Sequence, residues 1–180
     1  MQHECVLGNH EERHLSTRRK PPSALSPDHA RTRTLLGAEH LDWFAMLPTH
    51  LALVEHGAVV VHAGAMPGVP MARQDPYHLL HAQCVAPPER KSFWPSRAPA
   101  THRFWASLWS GPERVIFGHT VLDRAFIGEH AAGIDTGCVH GGPLTAVVLP
   151  EWRLVSVPSR QKASRSLPRF AILPGVHAFS

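Results

Sequence analysis

The chain has 180 residues, 43% hydrophobic and 18% charged, with a formal net charge of +4. These values suit one globular domain with a real core and exclude wholesale disorder. The positive excess, mostly arginine, can draw phosphate-bearing partners, but no basic-aromatic module accompanies it to suggest nucleic acid.

Three cysteines, Cys5, Cys84 and Cys138, lie far apart without C-x-x-C spacing. That suggests reduced thiols in a cytoplasmic protein and argues against a disulfide framework or zinc knuckle. The N-terminus carries no basic segment followed by an apolar run. The longest largely apolar stretch, from Ala58 to Met66 with His62 inside it, is too short to span a bilayer. No membrane role is expected.

In chain order, Cys5-Val6-Leu7 reads as a short buried strand that ends at Gly8, with Asn9 and His10 projecting from its end. Taken alone, the tetrapeptide also fits an ordinary strand-to-helix turn with Asn9 as N-cap. Glu12 to Lys20 is a polar, basic candidate helix, stopped by Pro21 and Pro22, and the Ser/Pro/Thr-rich run to Thr34 reads as a flexible loop. Leu41, Phe44 and Leu47, beside Trp43, predict a helix burying one face.

Leu51 to Val54 and Ala58 to Val61 read as two strands of a hairpin turning at Glu55-His56-Gly57. The second is apolar throughout, as a strand covered on both faces would be. A helix is expected from Pro76 to about Val85, a loop from Pro87 to Pro99, and a short helix from His102 to Trp109. Val115-Ile116-Phe117 is a third buried strand. A β-meander follows: Ala125 to Ile127, Ala132 to Ile134, Leu144 to Leu149 and Trp152 to Val157. After Pro158 a Ser/Arg-rich tail with one weak apolar patch, Phe170 to Leu173, is expected to be mobile.

His10, His62 and His119 each follow an apolar strand and each has a glycine within two residues. Small neighbours let a metal, its waters and a phosphate approach the backbone. Imidazole and the Asn9 carboxamide oxygen suit borderline divalent ions of the Mn, Fe, Zn or Co class. With fifteen histidines in the chain, any one of them alone is weak evidence. His29 and eight others in polar or loop contexts receive no role; the three strand-end histidines with their flanks favour a site.

Gly8-Asn9-His10-Glu11, His62-Ala63-Gly64 and Gly118-His119-Thr120 resemble, in order and spacing, the last three motifs of the calcineurin-like metallophosphoesterases. The nearest pattern is the phosphoprotein phosphatase branch, which includes bacterial serine/threonine phosphatases and symmetrical diadenosine tetraphosphatases. Val61 to Pro76 and Val115 to Leu149, with Gly133-Ile134-Asp135-Thr136-Gly137 and Gly141 to Ala146, extend the similarity over about residues 5 to 157.

The resemblance implies an α/β fold of αββα type, a β-sandwich flanked by helices. It implies a metal-dependent phosphoester hydrolase acting on a phosphorylated protein or a nucleotide. Asn9, His62 and His119 would be ligands of the second metal of a dinuclear site, and His10 the general acid. Glu11 would support the site or the helix start, and Asp135 would line the pocket or hold structure. The chemistry fits, since metals polarise phosphoryl oxygens and imidazole donates a proton near neutrality.

Two departures qualify the expectation. The family's Gly-Asp-x-His-Gly and Gly-Asp-x-x-Asp-Arg-Gly motifs, which supply the first metal's ligands, have no counterpart, and no aspartate here follows a glycine. Gln83 stands where the pattern leads one to expect an arginine gripping phosphate, and a carboxamide does not replace a bidentate cation. Residues 1–157 therefore read as the C-terminal part of such a domain, N-terminally truncated, with 158–180 as its tail; degeneration is the other reading. Only the second metal site is expected, with poor activity. A non-catalytic remnant with one weak metal or anion site is the alternative, and a basic nucleic-acid binder using Arg13, Arg18, Arg19, Lys20, Arg160, Lys162 and Arg165 is the third.

Overall fold

The computed structural model describes residues 3–162. In chain order the described elements include helices α1 (Asn9–Ser16), α2 (Pro27–Arg33) and α3 (Ala38–Met46), then strands β1 (His50–Leu53) and β2 (Ala58–Val61). Helix α4 (Pro76–His81) precedes the short strands β3 (Cys84–Val85) and β4 (Arg103–Phe104). Strands β5 (Arg114–Phe117), β6 (Phe126–Ile127), β7 (Ala131–Gly133), β8 (Leu144–Val148) and β9 (Arg153–Val157) complete the order. No helix among the described residues is long and apolar enough to cross a membrane.

The fold is mixed α/β around a five-stranded mixed sheet in the order β1-β2-β5-β7-β6. β1 and β2 form the expected hairpin, and Gly57 closes it at φ +57°, a left-handed conformation that side chains disfavour. β2 then pairs in parallel with β5, and β5 in parallel with β7. Successive residues of a strand face opposite sides, and both sides are apolar here. Val59, Val61, Val115, Phe117 and Ala131 enter one cluster with Leu79, Trp105 and Phe126. Ala58, Ile116 and Ala132 enter the other, which Val147, Leu149 and Trp152 cover. The β8–β9 hairpin thus forms a second layer on one face, while α4, β3–β4 and their loops pack on the other.

Four local expectations give way to tertiary structure. Cys5–Leu7 joins no ladder; Leu7 is buried and its N–H donates to Pro48 O at 2.8 Å. α4 stops at His81 because Cys84 and Val85 pair with Phe104 and Arg103 instead of continuing the helix. The same pairing turns the expected His102–Trp109 helix into strand β4 and a 3-10 turn at Trp105–Ser107. The meander is only partial, because β6–β7 extends the main sheet while β8–β9 stands as a separate pair.

A fifth correction bears on the site. The stretch read as a flexible loop, Pro21 to Thr34, contains α2, started by Pro27 at its first turn with Asp28 beside it and ended with Arg31 and Arg33. Arg33 pins it to α1, its Nη2 donating to His14 O at 2.7 Å and to Thr17 Oγ1 at 3.2 Å. Arg33→Ala is expected to speed amide exchange through residues 27–33 by about ten-fold, one charge-assisted hydrogen bond's worth; unchanged exchange there would show that α2 is held otherwise. The tail from residue 163, with the Phe170 to Leu173 patch, lies outside the described residues.

Asp75 caps α4. Its Oδ1 accepts from Tyr77 N at 2.9 Å and its Oδ2 from Arg90 Nε, while the Arg90 guanidinium lies 4.4 Å over the Tyr77 ring. The Arg90 hydrogen bond, then that of Tyr77, holds the Asp75 carboxyl below its ordinary range. A depressed carboxylate stabilises above its unfolded pKa and loses that contribution as pH falls through the folded one. The pair is largely exposed, so the effect is small. Asp75→Ala should cost about 1 kcal/mol near pH 7 by chemical denaturation, and the gap between the two proteins should close below about pH 4; a gap that persists there would assign the loss to packing.

Candidate functional site

β2 and β5 are parallel neighbours whose register runs Val60 to Ile116, so their C-terminal ends finish side by side. His62 follows β2 and His119 follows β5, and Gly118 N donates to His62 O at 3.0 Å, tying the two ends together. His119 sits at φ +65°, a left-handed backbone that a non-glycine residue rarely adopts. α1 supplies the third group. Gly8 is its N-cap residue, and Asn9, read as a possible cap, instead opens the helix. A Cβ at Gly8 would meet the Glu11 carboxylate and, at 3.3 Å, the His62 ring, so glycine permits the approach.

Three donor atoms converge as a result. His62 Nε2 lies 2.8 Å from Asn9 Oδ1 and 3.2 Å from His119 Nδ1. Ligand atoms about 2.1 Å from one ion lie roughly this far from each other, so the spacing suits a shared ion. Burial disfavours the imidazolium at both rings; it lowers the His62 pKa, and with the neighbouring His62 it takes His119 down to about 3. Both rings are therefore neutral near pH 7, the form that binds metal. No group of three or more His, Cys, Asp or Glu among the described residues is placed to hold an ion. Without a carboxylate, the trio suits one weakly held divalent ion.

The two carboxylates singled out in the sequence stand near this trio. Glu11 and, more weakly, Asp135 oppose the fall in the His62 pKa by their negative charge. Asp135 also accepts from Gly137 N at 2.9 Å, fixing the turn after β7, and lines a cleft of about 300 Å³ with His62 and His119. Gln83 is buried at 2% exposure, with Trp105 N donating to its main-chain carbonyl at 2.8 Å, and lines neither this cleft nor the next.

His10 is exposed and, together with Asn9, lines a second cleft of about 430 Å³. Its ring stacks on that of His29, centroids 5.0 Å apart and planes 13° from parallel. The sequence reading had left His29 without a role, and nothing in its polar, proline-bounded context marks it. Two further residues join the surroundings: Trp94, half-exposed with its ring 5.7 Å from His119, and His81, 6.3 Å from the same ring.

No family model matches the chain. It is 48% identical over 59 residues to a bis(5'-nucleosyl)-tetraphosphatase PrpE, described as asymmetrical, from Halalkalibacterium halodurans, covering 33% of this chain and 24% of that protein. The protein of the same description from Geobacillus thermodenitrificans is 44% identical over 57 residues, covering 32% and 23%. The matched stretch thus spans about a quarter of the curated relatives' length. A solved structure described as a candidate diadenosine tetraphosphatase superposes with a TM-score of 0.73 at 27% identity, over 88% of this chain and 69% of that one.

Proposed function

We propose that this protein is a metal-dependent phosphoester hydrolase whose substrate is a nucleotide polyphosphate of the bis(5'-nucleosyl) tetraphosphate type. The observation that carries the reading is the convergence of Asn9 Oδ1, His62 Nε2 and His119 Nδ1 within 2.8 and 3.2 Å at adjoining strand ends. These three would hold one divalent ion of the Mn, Fe, Zn or Co class. When bound, such an ion supplies Lewis acidity toward phosphoryl oxygen. His10, exposed and one residue from Asn9, is the candidate proton donor to the leaving oxygen. Glu11 and Asp135 keep negative charge near His62 without entering the trio. The names of the similar proteins favour a nucleotide over a phosphoprotein.

A neutral ligand trio holds its ion less firmly than one containing carboxylates, so slow turnover is expected. The test is hydrolysis of bis(5'-adenosyl) tetraphosphate by the purified chain with and without manganese. Manganese-dependent release of nucleotide, reduced about 100-fold or more in His10→Ala, is the expected result. Full activity in His10→Ala would remove its role, and no hydrolysis at any manganese concentration would leave a non-catalytic metal or anion site as the better reading.

A further inference from the structure

We infer that the cleft between α1 and α2 is a second phosphate subsite, which takes the part of a nucleotide polyphosphate lying beyond the phosphoryl group at the Asn9–His62–His119 trio. The inference rests on the proposed hydrolase reading for its orientation, and on its own observations for the cleft itself. The cleft measures about 430 Å³, within the range of small-molecule sites, and Asn9, His10, Arg13, Thr17, His29 and His81 line it. Because Asn9 belongs to both, the cleft begins where the trio ends. A ligand with a phosphate at the trio meets His10 next and then the cleft.

The wall is equipped for phosphate. Arg13 is exposed, and among the described residues it enters no ion pair. Burial lowers the pKa of His81 on the same wall, and Glu12, the one carboxylate there, opposes that fall. His29 lines the same wall, its Nδ1 engaged by Ser26 Oγ at 2.8 Å. Arg33 fixes α2 against α1 and so keeps His29 stacked on His10.

This arrangement separates substrates by length. A single phosphate engages only the trio, whereas a nucleoside diphosphate reaches Arg13 as well. The test is calorimetric titration of the manganese-loaded chain with ADP and, separately, with inorganic phosphate, so that no turnover is required. ADP should bind more tightly than phosphate. Arg13→Ala should weaken ADP about ten-fold and leave phosphate unchanged, and Arg13→Lys should restore part of the loss. Arg13 is exposed, so its variants should melt with the parent. An unchanged ADP affinity in Arg13→Ala, or an equal loss for ADP and phosphate, would overturn the subsite. If ADP binds through Arg13 but bis(5'-adenosyl) tetraphosphate is not hydrolysed, the subsite stands and the hydrolase reading falls; hydrolysis without Arg13-dependent ADP binding gives the reverse.

Discussion

Trp105→Ala should destabilise the fold by about 3–5 kcal/mol, the usual cost of emptying a large aromatic site. Trp105 has no exposed surface and lies between the sheet and the β3–β4 layer, its ring 4.9 Å from Phe117 and 6.4 Å from Phe104. It also buttresses the site. A Cβ on Gly64, two residues after His62, would run into the Trp105 indole, so the loop after β2 rests directly on that ring. The destabilisation is read from urea unfolding. A loss below about 1 kcal/mol would mean that the surrounding side chains collapse into the space and that the indole is not the keystone of this layer.

His119→Gly should have the opposite signature, losing activity while keeping or gaining stability. At φ +65°, His119 holds a backbone conformation that costs a non-glycine residue of order 1 kcal/mol and costs glycine almost nothing. Its imidazole offers one donor to the trio and ring contacts with His62, His81 and Trp94. Manganese-dependent hydrolysis should fall at least 100-fold, while stability should stay level or rise by up to about 1 kcal/mol. His119→Ala removes the same ring without relieving the backbone, and it should be the less stable of the two. If His119→Gly unfolds more readily than His119→Ala, the ring is held for packing and not for a ligand.

Much of the site was legible in the sequence because it is built on strand ends. Val59-Val60-Val61 and Val115-Ile116-Phe117 are continuous apolar runs, which only a doubly covered strand tolerates, and the histidines that follow them fall at the same edge of one sheet. Asn9 reached the trio although Cys5–Leu7 forms no ladder, because α1 rather than a strand positions it. The α1–α2 cleft was not legible. Proline and serine in Pro21 to Thr34 signal a loop locally, and what makes α2 order there is a tether from Arg33 to the far end of α1, a contact no sequence period encodes. Gln83 and β3 were obscured for a related reason: pairing of Cys84 with Phe104 across an intervening loop outweighs the helical pattern that begins at Pro76.

Manganese titration of the purified chain, followed by the loss of the free ion's paramagnetic resonance signal, tests the convergent trio most directly because it needs neither a substrate nor turnover. One ion per chain is expected, bound weakly. Asn9→Ala, His62→Ala and His119→Gly should each reduce the affinity at least ten-fold, while Arg13→Ala, which lies in the neighbouring cleft, should leave it unchanged. Binding of manganese with parental affinity by both His62→Ala and His119→Gly would contradict the assignment, since it would place the ion somewhere other than the ends of β2 and β5.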